Sequence, residues 1–242
     1  MGKLHTREGF VEHYNIAGTL PPRPDLRDIK YASTFAPEEL PQKKSLREDV
    51  FEVEHQGDIG SCVANAVCSS CELLANRAEE PVDLSRLFLY NATKAYEERL
   101  DQEGVFTKDA FHIAYKYGIP TEEQYPYNEA LDKIDPEAKY YEMANDRRVN
   151  RYESLAGAGT YGEERVHNIK SAIAEGLPIT FSMIVTDSIY EMHGDLKDQS
   201  YTMVGKDTND VGGHAMMIVG YDDTNRRFLV LNSWGEEWGS NG

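Results

Sequence analysis

The feature that most constrains the fold is a change of hydrophobic period partway along the chain. Ala64, Val67, Cys68, Cys71 and Leu74 recur at helical spacing, which predicts a buried helix opening at or just before Cys62. Helical pattern returns over Ser85–Leu100, Thr107–Tyr117 and Glu163–Ala174. Gly118 with Pro120 closes the second of these, and Gly176-Leu177-Pro178 closes the third. Beyond Pro178 the apolar residues come in strand-like runs: Ile179–Val185, His214–Tyr221 and Arg227–Asn232. Asp222-Asp223-Thr224-Asn225 supplies a turn, so the last two runs read as a hairpin. Helices first and sheet second predict an α+β molecule of two packed subdomains, about 56–160 and about 161–242, with a cleft between them.

Ahead of this domain, taken as residues 46–242, lies a polar stretch broken by Pro21, Pro22, Pro24, Pro37 and Pro41. Residues 1–45 therefore read as an extended arm. Alternation in Phe51-Glu52-Val53-Glu54 predicts a short strand within residues 46–55. At the other end, Trp238-Gly239-Ser240-Asn241-Gly242 reads as the lead-in to a further strand that the sequence does not contain.

The chain carries 25 basic and 42 acidic side chains, a net charge of −17. That field repels phosphate backbones and anionic membranes, so neither nucleic acid nor membrane is an expected partner. No apolar run approaches the ~18 residues that a membrane span needs. The charged opening Met1–Glu8 lacks the apolar run of a secretory signal. Met1-Gly2 with Thr6 satisfies a permissive N-myristoylation pattern, read here as chance. Cys62, Cys68 and Cys71 are an odd and clustered set, unlike a disulfide framework, and a cytoplasmic, reducing compartment is expected. Cys68 and Cys71 have C-x-x-C spacing without the second pair that a zinc site needs, and are expected to be small core residues of one helix.

Cys62 heads its helix, where backbone N–H groups and the helix dipole favour negative charge and should lower the thiol pKa. Gly60 and Ser61 before it leave room for a substrate backbone. Gln56, in the same turn, could join the Cys62 N–H in an oxyanion hole. On these residues alone, a buried structural cysteine is an equal alternative. Far downstream, Gly212-Gly213-His214-Ala215 puts an imidazole at the start of an apolar strand, and Asn232-Ser233-Trp234-Gly235 follows on the next. An Asn that holds one imidazole nitrogen while the other faces a thiol makes the cysteine form of the catalytic triad.

Gln56-Gly57-Asp58-Ile59-Gly60-Ser61-Cys62, Gly213-His214-Ala215 and Asn232-Ser233-Trp234-Gly235-Glu236-Glu237-Trp238-Gly239 together resemble the papain-like cysteine peptidases. Gly104–Phe111 and Tyr125-Pro126-Tyr127 resemble that family's cleft wall and the segment beyond it, so the resemblance covers about residues 45–242. It implies a helical subdomain packed against a β-barrel-like one. It also implies Gln56 as oxyanion donor, Cys62 as nucleophile, His214 as base and acid, and Asn232 as the residue orienting the base. Trp234 would shield the His–Asn bond from water. Glu103 and Gly104 would meet substrate backbone, Ser182 and Ala215 would line a side-chain pocket, and Gly213 is a further substrate-binding residue. Ile59 stands where secreted relatives carry a disulfide cysteine, and Val63 where an aromatic residue is usual.

The expected activity is hydrolysis of peptide bonds in a peptide or protein substrate through a Cys62 acyl-enzyme, with no metal or organic cofactor required. The same acyl-enzyme could be transferred to an amine, as in a transamidase or ligase. A third possibility is a silent papain-like fold used as a binding module. The proline-rich arm is a candidate cleft-covering pro-segment, because an extended path is what such a cleft accepts.

Overall fold

Helix α1 (Cys62–Arg77) begins where the turn of residues 56–61 ends, and the side chains of its first turns are buried. The computed structural model describes residues 18–21, 23, 25, 28–155, 162–187, 189 and 210–242. Around α1 pack α2 (Arg86–Tyr96) and α3 (Thr107–Lys116). Ser85 caps α2, its Oγ accepting the Phe88 N–H at 3.1 Å. That helix stops short of Leu100 because Glu98 takes φ 56°, a left-handed conformation no helix continues through. Helix α3 ends as its glycine predicts: Gly118 donates to Ala114 O at 3.2 Å and takes φ 85°. A seven-residue helix not expected from the sequence, α4 (Ala138–Ala144), lays Tyr140 and Tyr141 on the helical core. Tyr141 meets Phe88 edge to face at 5.1 Å.

The second half is a four-stranded antiparallel sheet whose spine is one long strand. The strands are β1 (Lys43–Ser45), β2 (Ile179–Thr186), β3 (Asp210–Asp222) and β4 (Arg227–Leu231). β3 pairs with β2 over Asp210–Ile218, with β4 over Met217–Asp222, and with β1 over Gly220–Asp222. Helix α5 (Gly162–Glu175) packs on this sheet, and Ile173 joins Leu46, Ile179, Val219 and Leu231 in a second core. Leu73 of α1 belongs to the sheet core, whereas Ala215 of β3 belongs to the helical one. α1 and β3 are thus the shared wall, and the N-terminus of α1 comes to lie beside Ala215. The architecture is α+β, with helices and sheet segregated as the change of period implied.

The strand expected within residues 46–55 does not form. Leu46 N still donates to Val219 O at 2.7 Å, but Arg47–Asp49 then turns as a 3-10 helix and leaves the ladder. Phe51, whose alternation suggested the strand, is 42% exposed. The strand lies earlier, at β1, inside the stretch read as an arm. That stretch is also tied down elsewhere: Tyr31 N donates to Ser154 O at 3.1 Å, and Ser33 Oγ to Ser171 Oγ at 2.7 Å. The myristoylation pattern of Met1–Thr6 lies outside the described residues. Cys68 and Cys71 sit on α1, the first fully buried, and all three cysteines are unpaired. Among the described residues, no helix is long and apolar enough to cross a membrane. Nor do three His, Cys, Asp or Glu side chains gather among them to hold a metal.

Candidate active site

The turn before α1 is held from three directions. Gly57 takes φ 63°, which lets the chain double back. Gln56 Nε2 donates to Ile59 O at 3.1 Å, and its Oε1 accepts Ser233 Oγ at 2.7 Å. Tyr127 Oη donates to Gln56 O at 2.6 Å and shares a 2.6 Å hydrogen bond with Ser61 Oγ. Glu103 Oε2 accepts the Gly60 N–H at 2.9 Å. With the loop fixed, Cys62 becomes the first residue of α1.

Across the wall, β3 presents His214 and the chain beyond β4 presents Asn232. His214 Nε2 lies 2.7 Å from Asn232 Oδ1, and the Ser233 N–H donates to the same Oδ1 at 2.8 Å. An atom that accepts a backbone N–H must be the amide oxygen, so Nε2 carries a proton. The neutral ring therefore keeps its lone pair on Nδ1, which has no hydrogen-bond partner among the described residues. Trp234 stacks on the imidazole at 4.7 Å, and Trp238 meets Trp234 edge-on at 5.4 Å. His214, Asn232 and Trp234 are all buried, so the His–Asn bond is screened from water. The residue after His214 closes the arrangement: Ala215 N donates to Cys62 Sγ at 3.3 Å.

The thiol is not activated in this arrangement. A helix N-terminus should pull its pKa down, yet burial pushes the Cys62 thiol up to about 12, and the N–H groups of Ala215, Val63, Cys62 and Gly18 only partly offset this. Burial likewise takes His214 down to about 4, opposed by its bond to Asn232. Burial thus favours the uncharged form of both groups, against the lowering of the thiol pKa that the helix N-terminus alone implies.

The cover comes from the arm. Gly18 passes so close to the nucleophile that a Cβ there would stand 2.3 Å from Cys62 Sγ and 2.6 Å from Gly60 O. Val105 N donates to Gly18 O at 3.3 Å and Leu20 N to Val105 O at 3.1 Å, a parallel pairing of Thr19 with Val105. Gly213 faces the same segment: its Cβ would come 2.8 Å from Thr19 O.

Cys62, His214, Asn232, Gln56, Ala215 and Trp234 are therefore brought together, and Cys62 and Gly213 lie against the arm. Ser182 reaches it too, accepting a hydrogen bond from Thr19 Oγ1 at 2.9 Å. Glu103 and Gly104 stand differently from expectation. The Glu103 carboxylate is spent on Gly60 N and on Tyr90 Oη (3.2 Å), while Gly104 N donates to Tyr90 Oη at 3.1 Å. The backbone groups that pair with an extended chain belong to the next residue, Val105, which sequence reasoning missed. Tyr127, Ser233 and Thr107 were missed as well. Tyr127 had a signal, in the Tyr-Pro-Tyr segment already noted for its resemblance.

The profile of the family described as papain family cysteine protease matches residues 36–242. The chain is 30% identical over 212 residues to the oryzain gamma chain of Oryza sativa subsp. japonica, covering 84% of this chain and 54% of that protein. It is 29% identical over 192 residues to an uncharacterized peptidase C1-like protein of Acanthamoeba polyphaga mimivirus, covering 77% of this chain and 61% of that one. The chain thus spans little more than half the length of these curated relatives. Among solved structures it is similar to xylellain, a cysteine protease from Xylella fastidiosa, with TM-score 0.78 and 25% identity, covering 93% of this chain and 87% of that one.

Proposed function

Because the chain belongs to the papain family of cysteine proteases, we propose that it hydrolyses peptide bonds through a thioester on Cys62. The observation that carries this reading is the pairing of His214 Nε2 with Asn232 Oδ1, which leaves the Nδ1 lone pair for the thiol. Once the cover has left, the Cys62 proton passes to Nδ1, and the thiolate Sγ attacks the scissile carbonyl carbon. Charge developing on the carbonyl oxygen meets the Cys62 N–H and the Gln56 amide. The tetrahedral intermediate collapses as Nδ1 returns the proton to the departing amine. Water then adds to the thioester, giving its proton to Nδ1, and the acid is released as Sγ is reprotonated. Ser233 holds Gln56 by its Oε1, and Tyr127 holds the loop by the Gln56 carbonyl, so the donors are set before charge appears.

In this reading Gly18–Leu20 are an inhibitory cover. The cover supplies the burial that keeps Cys62 and His214 neutral, and its departure lets water and substrate restore the thiolate–imidazolium pair. The unpaired cysteines favour a reducing, cytoplasmic setting.

The test is hydrolysis of a fluorogenic dipeptide amide by full-length protein carrying Gly18→Ala, chosen because the added methyl cannot coexist with the cover. Turnover is expected, and it should vanish when Cys62→Ala is added. Turnover that survives Cys62→Ala sinks the mechanism.

A further inference from the structure

The arm shows what side chain the cleft is shaped to hold. Thr19 stands opposite Val105, bracketed by the two backbone hydrogen bonds of that residue. Its hydroxyl donates to Ser182 Oγ at 2.9 Å, and Ser182 Oγ shares a second hydrogen bond with Thr107 Oγ1 at 2.8 Å. Its methyl faces Gly213, where a Cβ would come 2.9 Å from Thr19 Cγ2. The recess therefore offers two unlike surfaces: a pair of hydroxyls from β2 and the start of α3, and a bare glycine on β3. A side chain that branches at Cβ into one hydroxyl and one methyl satisfies both at once. Valine fits the space but leaves Ser182 Oγ facing a methyl. Leucine and phenylalanine, which do not branch at Cβ, push against the hydroxyl pair of Ser182 and Thr107.

We propose that this recess selects threonine at the substrate position opposite Val105, with Ser182 and Thr107 as its specificity-determining residues. The proposal rests on the peptidase reading above and adds the substrate class to it. Residue Thr19 is then a resident copy of the preferred side chain, and the same two hydroxyls that hold the arm choose the substrate.

The experiment uses full-length Gly18→Ala protein and four fluorogenic peptide amides that differ only at this position: Thr, Val, Leu or Phe. Threonine is expected to exceed valine in kcat/KM by roughly 2- to 3-fold, the low end of one hydrogen bond's worth because Ser182 is exposed, and to exceed leucine and phenylalanine. Adding Ser182→Ala should bring threonine and valine level. Valine equal to threonine, preference for leucine or phenylalanine, or a threonine preference that survives Ser182→Ala overturns the proposal. If none of the four is cleaved, the peptidase reading fails and the recess is judged separately. Synthetic peptides spanning residues 16–22, with the natural sequence or Thr19→Val, are then compared as shields of Cys62 against iodoacetamide. Protection at lower concentration by the natural peptide supports the recess; equal protection, or none by either, overturns it.

Discussion

Asn232 Oδ1 accepts two hydrogen bonds, from His214 Nε2 at 2.7 Å and from Ser233 N at 2.8 Å, and so fixes which imidazole nitrogen keeps its lone pair. Replacing Asn232 by Ala frees the ring to turn or change tautomer. General acid–base catalysis contributes about 10²–10⁴-fold, and Asn232→Ala should lose roughly 10²-fold of kcat with little change in KM. Steady-state kinetics in the Gly18→Ala background measures it, and an unchanged kcat contradicts the role.

The arm can be expelled by one methyl group. Overpacking a fitted contact costs about 1–3 kcal/mol, and Gly18→Ala puts a carbon 2.3 Å from Cys62 Sγ. The rate of Cys62 alkylation by iodoacetamide should rise by about tenfold or more over the unsubstituted chain. Equal rates would mean that the arm does not govern access.

The pH dependence of that alkylation should differ between the two proteins. With the cover in place, burial pushes the thiol up to about 12. Thiolate, and with it the alkylation rate, should then climb about tenfold per pH unit from neutrality to pH 11 without a plateau. With the cover gone, Cys62 regains the helix N-terminus and a chargeable His214, so its rate should level off near neutrality. A plateau near pH 7 in the unsubstituted chain contradicts the covered state.

Glu72 gives an independent prediction about stability. It is 1% exposed, its Oε1 accepts the Leu84 N–H at 2.8 Å, and burial pushes its carboxyl up to about 8. A raised carboxyl pKa means the folded state holds a proton that the unfolded chain has lost between about pH 4.5 and 8. This group's contribution to stability is therefore lost as pH rises through that window. Glu72→Gln, which keeps the acceptor and cannot ionise, should raise Tm at pH 8 by about 2–4 °C for each kcal/mol recovered, with little effect at pH 5. A Tm gain equal at both pH values would remove ionisation as the cause.

Tyr127→Phe removes the hydroxyl that ties Gln56 O to Ser61 Oγ. The aromatic ring stays, so the fold should survive, with a loss of about 0.5–1.5 kcal/mol for each hydrogen bond. The oxyanion loop loosens, and kcat should fall by about tenfold with KM nearly unchanged. A fall in stability without a fall in kcat would leave Tyr127 a purely structural residue.

The triad was legible in the sequence because its members carry their chemistry in side chains set among glycines and apolar strands: Cys62 after Gly60-Ser61, His214 after Gly212-Gly213, Asn232 ahead of Ser233-Trp234-Gly235. Val105 was not, because it acts through backbone N–H and C=O groups that every residue possesses. Its neighbours Glu103 and Gly104 drew attention by side-chain type, and their groups face inward onto Gly60 and Tyr90. Strand β1 escaped notice for a related reason. Lys43-Lys44-Ser45 has no apolar alternation, and its partners Gly220–Asp222 lie far along the chain. The local field of α1 on the thiol is visible in sequence, whereas the burial of Cys62 in the folded chain, which pushes the thiol up, is not.

That Cys62 is a nucleophile made reactive by His214 once the arm leaves is the step on which the proposed chemistry depends. It is tested most directly by the intact mass of full-length Gly18→Ala protein after exposure to a peptidyl epoxide at pH 7. A single adduct is predicted, absent when Cys62→Ala or His214→Ala is added, with Cys68 and Cys71 unmodified. No adduct in the folded Gly18→Ala protein, or an adduct that persists after Cys62→Ala, would contradict it.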